Sequence, residues 1–122
     1  MRRTQPDDPR KPLSLPVLYI LLALSDGAAH GYAIKQAVEE RTGGAIRLGP
    51  GTLYEAIGRL QDGGLIEAHS PPGEEPANGQ QAQRRYYALT SHGWDVLRDE
   101  LRQLDAILEA ARANPRLRKG LV

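Results

Sequence analysis

Residues 48–66, LGPGTLYEAIGRLQDGGLI, constrain this chain more than any other stretch. Gly49, Pro50 and Gly51 mark a turn, and a proline suits the first position of a helix because no backbone N–H is needed there. Leu53, Ala56, Ile57 and Leu60 then recur at i, i+3, i+4 and i+7, which predicts an amphipathic helix with one apolar face. Gly63-Gly64 stops it with the residue best suited to positive φ, and Leu65-Ile66 opens an extended run. The opposite face carries Thr52, Tyr54, Glu55, Gly58, Arg59 and Asp62. It is short on charge for a solvated helix, and Gly58 leaves room for a partner surface to come close.

The flanking segments predict what this helix is packed into. Residues 1–12, MRRTQPDDPRKP, hold three prolines and almost nothing apolar, so they predict a disordered basic arm. Ser14 is a plausible N-cap with Pro16 in the first turn. The helix that follows, to Asp26, is apolar nearly all round, with Leu15, Val17, Leu18, Ile20, Leu21, Leu22 and Leu24. A helix without a polar face needs cover on both sides, and in so small a domain another subunit is the expected second cover. His30-Gly31-Tyr32 opens a second helix with Ile34, Ala37 and Val38 as its apolar stripe, ended by Gly43-Gly44. Two short helices joined by a tight segment make a helix-turn-helix pattern.

After Gly64 the runs LIEAHS and RRYYALT have strand composition. Between them PPGEEPANGQQAQ holds no aliphatic residue larger than alanine and reads as a hairpin tip. Helix-turn-helix plus hairpin is a winged helix, with the tip as the wing. Thr90 caps a last helix reaching about Ala113, before Asn114-Pro115. Trp94, Leu97, Leu101, Leu104, Leu108 and Ala111 are spaced 3, 4, 3, 4, 3, a seam of 3.5-residue period that predicts a helix–helix contact between subunits. The expected organisation is an arm at 1–12, a winged helix-turn-helix at 13–90, a dimerisation helix at 91–113 and a basic tail at 114–122. The fold class is mainly α with a small β-hairpin.

The motifs HGY at 30–32, PGTLY at 50–54, RL at 59–60, GGLI at 63–66 and RRYYALT at 84–90 together resemble the PadR family of bacterial transcriptional regulators, over roughly residues 13–112. The single short C-terminal helix is similar to that of the compact subgroup. The resemblance implies a dimeric winged-helix repressor of a nearby operon, with the last helix crossing the partner's first and last helices. Leu15, Leu18, Leu22, Trp94, Leu97, Leu101, Leu104 and Leu108 are then the interface residues, and a homodimer bound to double-stranded DNA is the functional form. It also implies a small-molecule effector at the dimer interface, which in some compact members is a flat aromatic drug held between aromatic side chains. This chain departs there, because mid-helix it offers Leu101, Leu104 and Leu108, with Trp94 only at the start.

If the central helix enters the major groove, Thr52, Tyr54, Glu55 and Arg59 can reach base edges or phosphates. Arg59 either makes a bidentate contact to guanine or pairs with Glu55 at i, i+4. Gly51 and Thr52 sit at a helix N-terminus, which favours a phosphate. Tyr32 and Lys35 are placed to meet backbone at one edge of the groove, and packing of the Tyr32 ring is compatible with its hydroxyl reaching a phosphate. Arg84 and Arg85, with Gln80, Gln81 and Gln83, make the wing's second arm polar and basic. Tyr86 and Tyr87 alternate faces, one toward the core. The net charge of +1 does not by itself announce nucleic acid.

Other chemistry is poorly supported. No cysteine is present, which excludes a thiolate nucleophile or thiolate metal site. His30, His69 and His92 lie on separate elements without an acid cluster, and no glycine-rich loop follows a buried strand. Glu67 and His69 share a strand face, but incidental surface placement explains them better than a metal. No enzyme, cofactor or metal is expected. The apolar run at 13–24 is too short to span a bilayer, so a cytoplasmic protein without membrane association is expected. The alternative function is a winged helix used for protein–protein contact, which would expose an apolar face on the central helix; Thr52, Glu55 and Arg59 argue against it.

Overall fold

Ser14 starts the first helix as its sequence position predicts. In the computed structural model, which describes residues 12–69 and 85–121, the Ser14 hydroxyl accepts from the Val17 N–H at 3.4 Å, and Pro16 lies in the first turn. The elements run α1 (Leu15–Leu24), β1 (Ala29–His30), α2 (Gly31–Arg41), α3 (Pro50–Asp62), β2 (Ile66–His69), β3 (Tyr86–Leu89), α4 (Ser91–Arg112) and α5 (Pro115–Arg118). The expected hairpin is present, but it belongs to a three-stranded antiparallel sheet of order β1-β3-β2. Residues Ile66 to His69 pair with Leu89 to Tyr86, while Ala29 and His30 pair with Tyr87 and Tyr86 on the other edge. A two-residue strand is too short to show any alternation, so β1 is hidden in the sequence inside the approach to α2.

The core is one cluster. Ile20, Leu21 and Leu24 of α1 meet Ile34 and Val38 of α2, and Leu53, Ile57 and Leu60 of α3. Tyr87 and Leu89 close it from the sheet, and Leu97 from α4. Helix α1 packs against α2 on one side and against α4 and β3 on others. These neighbours bury Leu18, Ile20, Leu21 and Leu24, while Leu15 stays 58% exposed, so the side for which a second cover is expected is open in the single chain. Of the residues expected at the dimer interface, Leu18 is 7% exposed and Leu97 3% exposed and both lie in the core cluster, while Leu15, Trp94, Leu101 and Leu104 are exposed. Periodicity reports that a face is buried, not by which neighbour.

The end of α3 is fastened to the start of α4. Gly64, at φ +77°, donates to the Gln61 carbonyl at 3.0 Å, and Leu65 N–H reaches the Leu60 carbonyl at 2.9 Å. This paired C-terminal closure is the one that glycine completes without strain. Thr90 then joins the two helices. Its hydroxyl donates to the Gly64 carbonyl at 2.6 Å and accepts from the Gly93 N–H at 2.9 Å, while its own N–H donates to the Leu65 carbonyl at 3.0 Å. The approach is so close that a Cβ on Gly93 would lie 2.0 Å from the Leu65 oxygen. The wing base and α3 are thus carried on a braced frame.

Beyond Glu100, α4 contributes nothing further to the core cluster. Glu100 is itself buried, and its carboxylate accepts from the Leu13 N–H at 3.3 Å, which ties the entry of α1 to α4. Past it, Leu101 and Leu104 are each 39% exposed and Ile107 is 65% exposed. Helix α4 is closed by Ala113. The basic tail that follows holds a further short helix, α5, which Asn114 caps by accepting from the Arg116 N–H at 2.9 Å. Asn-Pro thus ends one helix and starts the next. The predicted arm at 1–12, apart from Pro12, and the wing tip lie outside the described residues.

Candidate nucleic-acid interface

Helix α3 divides its residues as its periodicity predicts. Leu53, Ile57 and Leu60 are buried, while Gly51, Thr52, Tyr54, Glu55 and Arg59 are exposed. The helix begins open. Its N-cap, Gly49, offers no side-chain hydrogen bond, and Pro50 has no N–H, so the amides of Gly51 and Thr52 are left for an outside acceptor. Free amides and the positive end of the helix dipole suit a phosphate oxygen.

Arg59 Nη2 lies 3.5 Å from Glu55 Oε2, and both side chains are about two-thirds exposed. Such an exposed i, i+4 pair contributes roughly 0.2–0.5 kcal/mol. A bidentate contact of arginine to guanine discriminates by about 1–3 kcal/mol. The pair is therefore weak enough to open when a base edge is offered. Lys35 has the same character: its Nζ lies 2.9 Å from Glu39 Oε2, with both side chains partly exposed. That nitrogen also stands 6.0 Å from the ring centre of Tyr32, whose hydroxyl accepts from Gln36 Nε2 at 3.4 Å. Tyr32 is 60% exposed, so its ring projects rather than packs.

Tyr54 does two things. Part of its ring faces solvent, and the rest covers Gly31 at the start of α2, where an added Cβ would meet the Tyr54 hydroxyl oxygen at 2.3 Å. HGY and PGTLY are thus a single interlocking unit: the glycine of the first makes space for the tyrosine of the second. Behind it lies Tyr87, buried on the core side of β3. Burial pushes the Tyr87 phenol above its ordinary range, Arg85 draws it back down, and Tyr54 adds to the rise. Arg85 and Tyr54 each lie near enough to Tyr87 to act on its phenol. The start of α2, the first turns of α3 and the base of the wing therefore converge around Tyr54 and Tyr87. Arg85 is exposed at the entry to β3, whereas Arg84 and Gln80, Gln81 and Gln83 lie outside the described residues. Arg47, which the sequence pattern does not single out, is exposed just ahead of α3, with its Nε donating to the Gly44 carbonyl at 3.3 Å. A cation two residues before a Gly-Pro-Gly helix start is the available signal.

Among the described residues there is no group of three or more His, Cys, Asp or Glu side chains arranged for a metal, and no helix is long and apolar enough to cross a membrane. Comparison with known proteins decides the class. The model of the transcriptional regulator PadR-like family matches residues 20–99. The chain belongs to the PadR-like family. As a member it is a transcriptional regulator rather than an enzyme. A PadR family transcription regulator from Clostridium difficile superposes with a TM-score of 0.65 at 26% identity, covering 82% of this chain and 97% of the other. RosR of H. salinarum gives 0.61 at 27% identity, over 93% and 90% of the two chains. A transcriptional regulator from Clostridium thermocellum shares the fold, with a TM-score of 0.64 at 24% identity over 82% and 89%. An uncharacterized 37.1 kDa protein in transposon TN4556 of Streptomyces fradiae is 40% identical over 83 residues, 68% of this PadR-family chain. The chain spans 21% of that relative's length.

Proposed function

We propose that this PadR-family regulator is a dimeric repressor that places α3 of each subunit in the major groove of an inverted-repeat operator. One observation carries the reading: α3 turns an uncapped N-terminus and the row Thr52, Glu55 and Arg59 to solvent while its other face is locked in the core. Thr52, Glu55 and Arg59 read bases, and Tyr54 supports them from the edge. The amides of Gly51 and Thr52, together with Tyr32, Lys35 and Arg85, hold phosphates, and Arg84 adds to the wing's charge. The dimer is supported by what α4 leaves open, namely Leu101, Leu104 and the half-buried Leu108, with Leu15, Leu22 and Trp94 as neighbouring apolar surface. A small molecule at that interface is the means of release. Trp94, with the Arg98 guanidinium 5.8 Å from its ring centre, is the aromatic surface such a molecule would meet.

Titration against operator DNA at several salt concentrations tests the assignment. Apparent affinity should fall steeply as salt rises, because Lys35, Arg59 and Arg85 of each subunit displace counterions. Arg85→Ala should weaken binding to every sequence by a similar factor and flatten the salt dependence. Arg59→Ala should relax preference at one base position of the half-site, by about 1–3 kcal/mol. A uniform loss across all sequences for both variants would show that Arg59 reads no base.

A further inference from the structure

The HGY motif contains a histidine to which the DNA-binding surface assigns no part. His30 is half-buried and closes β1 with extended backbone, φ −85° and ψ 168°, and it is also the N-cap of α2. Its Nδ1 accepts from the Ala33 N–H at 3.2 Å. Its ring stands edge-on to Tyr86, with centroids 5.4 Å apart and planes at 82°. The sheet register sets the two residues directly opposite each other. One side chain thus touches both the helix that carries Tyr32 and Lys35 and the strand that Arg85 enters.

We propose that His30 is a positioning residue for DNA binding, which holds the first turn of α2 at a fixed offset from β3. This rests on the DNA-binding reading of α3 and the wing. The physical reason is the choice of cap. Serine, threonine, aspartate and asparagine satisfy a helix N-terminus with a short oxygen and lead the preferences there. A neutral imidazole accepts the same hydrogen bond at Nδ1, with its proton on Nε2. It also carries a ring long enough to reach the neighbouring strand. A short cap would stabilise α2 equally well, but the two-residue backbone pairing of β1 with β3 would then be the sheet's hold on it, without the ring contact to Tyr86. Two phosphate-holding groups on α2, Tyr32 and Lys35, must agree in spacing with Arg85 on β3 if all are to meet one groove. The His30 ring refines the spacing that the β1–β3 pairing sets, and Tyr54 seated on Gly31 supports it from the α3 side.

The test separates capping from positioning. The operator fragment enriched from the organism's genomic DNA is titrated with wild type, His30→Asn and His30→Ala, with His69→Ala as a control that alters an exposed histidine on the far side of Tyr86. Thermal midpoints and hydrogen exchange at the Ala33 amide are recorded alongside. His30→Asn keeps a capping oxygen, so its Ala33 protection should match wild type, and its midpoint should fall by less than that of His30→Ala, because it loses the ring contact with Tyr86 but not the cap. Its affinity should nevertheless fall about tenfold and its salt dependence should flatten, as expected when each half-site gives up one phosphate partner. His30→Ala should lose both protection and affinity, and His69→Ala neither. Wild-type affinity in His30→Asn would reduce the residue to a cap and overturn the proposal, as would undiminished binding by His30→Ala. A wild-type protein that binds no fragment overturns the DNA-binding reading itself, and this inference with it.

Discussion

Gly93→Ala should destabilise the protein by about 3 kcal/mol, at the upper end of what overpacking does to a tightly fitted site. The sign is the unusual part. Within a helix, alanine is ordinarily more stable than glycine by roughly 0.5–1 kcal/mol. Here the new methyl would stand 2.0 Å from the Leu65 carbonyl oxygen and 3.2 Å from Leu89 Cδ2. Neither side can yield cheaply. The Leu65 oxygen is already held by the Thr90 N–H at 3.0 Å, and Thr90 is held in turn by the Gly64 carbonyl at 2.6 Å. Relief requires α4 to move away from the end of α3, which opens the core around Leu97. For a domain of this size the thermal midpoint should fall by roughly 10–20 °C. Differential scanning calorimetry decides it, and a midpoint unchanged within error would mean that the two segments do not meet so closely.

Leu104→Glu should abolish the dimer, and with it specific DNA binding, while leaving the subunit folded. In the single chain Leu104 is 39% exposed and lies outside the core cluster. Between two subunits whose α4 seams cross near this residue, the change buries two carboxylates close together without partners, a penalty that apolar burial cannot offset. Leu97→Ala supplies the contrast. Leu97 is buried within its subunit, so shortening it should cost about 2–5 kcal/mol of folding stability whatever the state of association. Sedimentation at micromolar concentration, read beside circular dichroism, separates the two. A well-folded Leu104→Glu dimer would show that the seam beyond Glu100 does not join subunits.

The pair of leucines also shows where sequence reasoning runs out. Heptad spacing picks out Leu97 and Leu104 together, since both lie on one face of α4. Whether that face meets the same chain or another depends on how far the helix projects past the core, which spacing does not encode. Glu100 shows the converse: a charged residue outside the seam is buried because the start of α1 supplies an N–H for its carboxylate. The caps at Ser14 and Thr90, the turn at Gly49, the stops at Gly43-Gly44 and Gly63-Gly64, and the partition of α3 are legible because each depends on local chemistry. The strand at Ala29–His30 is not, being set by pairing with β3, distant in sequence. Of the candidate site, the exposed row on α3 is legible from its period. The seating of Tyr54 on Gly31 is not, because it joins two motifs that look independent in the chain.

Enrichment of genomic fragments by the purified protein, followed by sequencing, tests the central claim most directly. Two α3 helices related by a two-fold axis must read two equivalent half-sites. The enriched fragments should therefore share an inverted repeat with half-site centres roughly 10 or 20 base pairs apart, one or two turns of the duplex. Arg59→Ala should blur one symmetric pair of positions in that consensus and leave the rest. Fragments with no dyad symmetry, or no enrichment over input DNA, would contradict the account.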